Sequence, residues 1–95
     1  MFGYHKYYTI IQVEYSLNGD NILEFHMISV WAKNSFKAIA RTVQKIHYMT
    51  KEALLDDLLI NAKLYSKPFS QEEWNAEGKE KYNNLTRQYS SYIKI

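Results

Sequence analysis

Two runs of strict alternation open the chain. In the first, Tyr7, Thr9, Ile11, Val13 and Tyr15 interleave with Tyr8, Ile10, Gln12, Glu14 and Ser16. In the second, Leu23, Phe25, Met27, Ser29 and Trp31 interleave with Ile22, Glu24, His26, Ile28 and Val30. Period two in β-branched and aromatic residues is the strand signature, and the Asn18-Gly19-Asp20 break predicts a hairpin over residues 4–31. A two-residue turn sets Val13 opposite Glu24 and Gln12 opposite Phe25. A three-residue loop sets Tyr15 opposite Leu23, Val13 opposite Phe25 and Ile11 opposite Met27. Matching apolar to apolar selects the three-residue loop, with Gly19 at positive φ. In that register Tyr7, Ile11, Val13, Phe25, Met27 and Trp31 face the helices. Tyr8, Ile10, Ile28 and Val30 then gather on the outward face, near the open end of the hairpin.

The period then changes to that of a helix. Residues 34–48 place Phe36, Ile39, Ala40, Val43 and Ile46 on one face, with Asn34 or Ser35 as cap. Thr50 predicts the cap of a second helix, Lys51 to Tyr65, whose Leu54, Leu55, Leu58, Leu59, Ala62 and Tyr65 make a broad apolar face. The third helix has the clearest start. Ser70 and Glu73 have the spacing of a capping box, and Phe69 and Trp74 that of a hydrophobic staple. Trp74, Tyr82, Leu85, Tyr89 and Tyr92 line one stripe, with Glu72, Glu73 and Glu77 toward the positive helix end and Arg87 and Lys94 toward the negative one. Gly78 lies on that stripe and predicts close approach of another element, because glycine costs about 1 kcal/mol in a helix interior. The expectation is a single α+β domain over residues 1–95, an N-terminal antiparallel hairpin followed by three helices in the order β-β-α-α-α. A two-stranded sheet is marginal alone and must pack on those helices.

Composition narrows the function. Ninety-five residues suit one core and favour a shallow binding face over a deep cleft. The chain has no cysteine, so thiolate nucleophiles, disulfides and cysteine-based zinc sites are excluded. No stretch approaches the roughly 20 apolar residues of a membrane span, and Met1-Phe2-Gly3-Tyr4-His5-Lys6 lacks a signal-peptide core. A cytoplasmic location is expected. Three widely separated glycines exclude a phosphate-cradling loop, and no serine sits in a nucleophile elbow. His5, His26 and His47 fall in no metal-ligand motif. In the three-residue-loop register Glu14 faces Glu24 and His26 lies alongside, an arrangement suited to acid–base work but read as a solvated sheet face. Asp56 and Asp57 point about 100° apart on a helix and do not converge on a metal. No catalytic residue, metal or cofactor is therefore assigned.

Charge supplies the leading candidate. Residues 32–51 hold Lys33, Lys37, Arg41, Lys45 and Lys51 and no acidic residue. Lys37, Arg41 and Lys45 recur at i, i+4 and i+8, a cationic ridge with Tyr48 beside it. Such a ridge suits an acidic protein surface, or phosphates in a nonspecific way, since lysine acts as a point charge and does not read base edges. A helix-turn-helix is rejected because Asp56 and Asp57 would sit in the recognition helix. RNA-binding modules are rejected on element order and on the missing glycine-aromatic signature.

Ten lysines against two arginines, nine tyrosines and the absence of a catalytic motif give a general character. In that character the chain resembles small bacteriophage accessory proteins, of the host-takeover or counter-defence kind. The resemblance implies a non-enzymatic protein that binds and modulates or inhibits a larger macromolecular target, with a protein or nucleoprotein as partner. A weak nucleic-acid or ribonucleoprotein binder using the ridge is the alternative. Self-association as a dimer is expected through Tyr8, Ile10, Ile28 and Val30 or through an open strand edge.

Overall fold

Asn18 and Gly19 both have positive φ, 53° and 86°, and this pair sets the register of the sheet. The computed structural model describes residues 3–55, 60–89 and 93–94. Strands β1 (His5–Leu17) and β2 (Asp20–Ala32) pair antiparallel, with Leu17 opposite Asp20 across a two-residue turn. Turns with both central residues at positive φ match the right-handed twist of a hairpin, and Asn-Gly is their preferred sequence. Val13 therefore faces Glu24, and Gln12 faces Phe25. The three-residue loop is overturned, and turn chemistry prevails over the apolar matching that suggested it. The mismatch is tolerable because Glu24 is satisfied locally: the Tyr15 hydroxyl donates to its carboxylate, and His26 Nε2 lies 3.3 Å from it.

Apolar matching misleads here because both faces of the sheet are covered. Ile11, Val13, Ile28, Val30 and Ala32 are buried on one face against Ala38 and Ile46. Tyr8, Ile10 and Phe25 are buried on the other against Phe69 and Trp74. The architecture is a helix–sheet–helix sandwich.

Helix α1 (Ser35–Leu55) covers the first face. Asn34 starts it, its side-chain oxygen accepting from the Lys37 amide at 2.9 Å. Thr50 is not a cap. Its hydroxyl donates back to the Ile46 carbonyl at 2.9 Å, and the helix runs through. The buried positions are Ala38, Thr42, Ile46 and Ala53, whereas Phe36 is 80 % exposed and Ile39 38 %. The helix is thus rotated by about one residue, roughly 100°, from the face its large apolar residues suggest. Ala38 allows close approach to the sheet. Thr42 can be buried because its hydroxyl donates to the Ala38 carbonyl at 2.7 Å.

The expected second helix is divided. Its first residues belong to α1, and its last form strand β3 (Ile60–Leu64), antiparallel to β1 with Val13 opposite Ala62 and Ile11 opposite Leu64. Asn61 and Lys63 are exposed while Ala62 and Leu64 are half-buried, so this segment carries a period of two inside a stretch that also reads as helical. Asp56, Asp57, Leu58, Leu59 and Tyr92 lie outside the described residues. Beyond β3 the chain stays on the same edge of β1. Tyr65 and Ser66 amides donate to the Ile10 carbonyl, and Tyr8 and Phe69 exchange both backbone hydrogen bonds.

The third expected helix begins where its signals place it. Ser70 Oγ accepts from the Glu73 amide, and the Glu73 carboxylate accepts from the Ser70 amide at 3.0 Å, a complete capping box. The helical rod comprises α2 (Gln71–Glu73), a π-helical turn (Trp74–Gly78) and α3 (Lys79–Tyr89). It covers the second sheet face. The Trp74 ring stacks on Tyr8 at 5.0 Å, and Phe25 meets Tyr89 at 5.2 Å. A side chain at Gly78 would place its Cβ 2.6 Å from the Trp74 ring and 3.0 Å from Phe69, which is why that position carries glycine despite its helix cost. The rod is described as far as Tyr89, and Lys94, expected near its end, belongs to a strand. Strand β4 (Ile93–Lys94) instead pairs with Asn21 and Ile22, giving the sheet order β3-β1-β2-β4. The observed order is β-β-α-β-α with the short β4 last, and among the described residues no helix is long and apolar enough to cross a membrane.

The capping box predicts two measurable effects. Ser70→Ala should lower thermal stability by about 1 kcal/mol. The Ser70 amide, and then Lys67 at 2.9 Å, hold the Glu73 carboxyl down to about 2 from its ordinary 4.5. A carboxyl depressed on folding stabilises above its unfolded pKa, and that contribution fades as pH falls from about 4.5 toward 2. Glu73→Gln should flatten the acid limb of a stability–pH profile over that window.

Candidate functional site

The cationic ridge lies beside the sheet. Thr42 and Ile46 point into the core, so Arg41 and Lys45, each one residue earlier, emerge on the flank of α1 that overhangs β2. Arg41 Nη1 donates to the Trp31 carbonyl at 2.7 Å, and Lys45 Nζ donates to the Ser29 carbonyl at 2.9 Å. Lys33 and Arg41 also sit over the Tyr4 ring, at 5.6 and 5.5 Å from its centroid. Lys37 is exposed on the same side, one turn before Arg41. The sequence grouping of Lys33, Lys37, Arg41 and Lys45 survives, with a change of geometry. Two of its four cations bend onto the backbone of β2.

Between that flank and the strand lies an open groove of about 960 Å³, floored by Ile28, Val30 and Met49 and bordered by Met27, Trp31 and Tyr48. Tyr48 is 64 % exposed at the rim on the α1 side, and Trp31, 55 % exposed, stands at the strand edge of the groove on the Trp74 side of the sheet. A hydrogen bond to Glu52, with the charge of that carboxylate, pushes the Tyr48 hydroxyl above its usual pKa.

The groove owes its existence to strand order. In a two-residue hairpin the residues flanking the turn form the first hydrogen-bonded pair, so even-numbered residues of β2 bond to β1 and odd-numbered ones face outward. The Ser29 and Trp31 carbonyls, both odd, are the ones that Lys45 and Arg41 reach. Among the described residues β4 covers only Asn21 and Ile22 of that edge. Among the described residues no strand lies beside the outward backbone groups of Met27, Ser29 and Trp31. The outer edge of β1, by contrast, is occupied from Tyr8 to Tyr15 by Phe69, Ser66, Tyr65 and β3.

The second predicted surface does not form. Tyr8 and Ile10 are buried under the Trp74 helix and Ile28 and Val30 under α1, all at 9 % exposure or less. The two-residue turn puts these pairs on opposite faces, so Tyr8, Ile10, Ile28 and Val30 are core residues and not a self-association patch. Ile28 and Val30 reach the candidate site only as its floor. The aromatic residues Trp74, Tyr82 and Tyr89 cover the sheet.

The possible acid–base grouping is likewise separated. Glu14 lies opposite Leu23 on the Trp74 side of the sheet, whereas Glu24 and His26 lie on the α1 side. Among the described residues no group of three or more His, Asp or Glu side chains converges to hold a metal. Sequence reasoning missed Trp31 and Met27 as rim residues and the β2 edge itself. The one signal for Trp31 was its place at the end of the alternating run, next to Lys33. Comparison of the chain with protein-family models, curated proteins and solved structures finds no match.

Proposed function

We propose that this domain is a non-enzymatic binding protein that modulates a larger protein target by seating an acidic part of it in the groove between α1 and β2. The observation that carries this reading is the coincidence of cations and exposed aromatics at one cleft. Arg41 and Lys45 overhang a groove edged by Trp31 and Tyr48, in a stretch of chain with no acidic residue from 32 to 51. Aromatic and arginine residues around a desolvated centre are what protein interfaces favour, and the cations raise the encounter rate and orient the partner. The resemblance to phage accessory proteins agrees with a small domain that acts by occupying a surface. The nucleic-acid alternative is the second reading because the ridge is short and mostly lysine, and lysines act as point charges that do not read base edges.

Capture from a cell lysate tests this, with wild type against an Arg41→Glu/Lys45→Glu double variant and with nuclease treatment as a second arm. Both side chains lie on the exposed flank, so the variant should fold. The expected result is a protein captured by wild type, resistant to nuclease and lost with the charge reversal. Capture that nuclease abolishes would establish the nucleic-acid alternative. Capture unchanged by the reversal would remove the groove from the function.

A further inference from the structure

The geometry points to strand addition as the binding mode: the edge of β2 from Met27 to Trp31 takes up an extended segment of the partner in which acidic and apolar residues alternate. This rests on the acidic-partner reading above and specifies its occupant. Among the described residues no strand pairs with the row of outward N–H and C=O groups of Met27, Ser29 and Trp31, and the Ser29 and Trp31 carbonyls accept only from the Lys45 and Arg41 side chains. Such a row is a template for one more strand. It spans five residues, about 16 Å at strand rise, and lies along the groove already described.

Alternation fixes the side-chain requirement. Partner residues opposite Ile28 and Val30 point to the α1 side of the sheet, beneath Arg41 and Lys45. Those opposite Met27, Ser29 and Trp31 point to the other side, where Met27 and the exposed Trp31 offer apolar surface. Carboxylates on the first set and apolar side chains on the second satisfy both. Arg41 and Lys45 have a double role. Without a partner they donate to the Trp31 and Ser29 carbonyls and blunt the edge. An incoming carboxylate draws them off, because a charged acceptor makes the stronger hydrogen bond, and this frees both carbonyls for the added strand. A second copy of this chain is a poor occupant, since pairing two β2 edges would bring the Arg41 and Lys45 side chains of both copies together.

The probe is a capped synthetic peptide of about nine residues alternating glutamate and valine, in three forms: unmodified, N-methylated on the glutamate amides, and N-methylated on the valine amides. Amide exchange of the wild-type protein is followed by NMR. The unmodified peptide should slow exchange at Met27, Ser29 and Trp31 and leave the even-numbered amides, already paired with β1, unchanged. One N-methylated form should bind about tenfold or more weakly, having lost the N–H groups that face β2, while the other binds as the unmodified peptide does. Salt-sensitive binding in which both methylated forms behave alike, without protection of those three amides, would overturn strand addition yet leave an acidic partner in place. No binding of the unmodified peptide at millimolar concentration would also overturn it. So would a wild-type dimer in sedimentation whose Met27, Ser29 and Trp31 amides are already protected. The acidic-partner reading stands or falls separately, on the lysate capture.

Discussion

Ile10→Glu should leave the chain without a cooperative unfolding transition at 25 °C. Ile10 has no exposed surface. It sits on the sheet face covered by Phe69 and Trp74, and its own amide and carbonyl are held by Ser66 and Tyr65. A glutamate there loses the buried isoleucine and places a carboxyl in an apolar layer. Each change costs several kcal/mol, and the whole domain has only about 5–10 kcal/mol to lose. The variant discriminates between folds, because in a hairpin with one wet face Ile10 points to solvent and glutamate is harmless. Thermal melts followed by circular dichroism give the answer. A cooperative transition near the wild-type temperature would mean that the second layer does not cover β1.

Trp74→Ala should cost about 3–5 kcal/mol and lower the melting temperature by at least about 12 °C. Trp74 is 6 % exposed and touches three rings, stacking on Tyr8 and tilting against Phe69 and Tyr82. Its removal empties the joint between the helical rod and the sheet. The vacancy cannot be filled from Gly78, which has no side chain and lies against the lost indole. The effect has a second readout. The chain has two tryptophans, and the other, Trp31, is exposed. Emission from folded Trp74→Ala protein should resemble that of a solvated indole. A melting temperature within a few degrees of wild type would place Trp74 outside the core.

The start of the third helix was fully legible because everything that makes it is local. Ser70, Glu73, Phe69 and Trp74 lie within five positions, and the capping box forms from their own backbone and side chains. Gly78 was legible as a crowded position, although what crowds it is Trp74 of its own rod and Phe69 just before that rod and not a separate element. The hairpin's existence was legible from its period. Its register was not, because apolar matching selects a register only where one face of the sheet is wet. Once both faces are dry, Val13 opposite Glu24 carries no penalty that the Tyr15 hydroxyl and His26 do not offset. Thr50 failed as a cap because a threonine hydroxyl satisfies an i−4 carbonyl as readily as a helix start. The stretch Ile60–Leu64 failed as a helix because its apolar residues fit two periods, and the open edge of β1 favoured the extended one.

The candidate site divides the same way. The run of cations from Lys33 to Lys45 was visible in the sequence, since spacing along one helix is a local property. That Arg41 and Lys45 lean onto Ser29 and Trp31 follows from the rotation of α1, which depends on which small residue lets the helix approach the sheet. By itself the sequence determined the hairpin, the start of the first helix with its charges, and the start of the third helix with its capping box. These rest on interactions among residues a few positions apart. Only the tertiary structure decided the register, the two covered faces, the third strand and the exposed edge of β2. Each of these is a contest between distant segments for the same hydrogen bonds and the same apolar surface, and no local pattern records which segment wins.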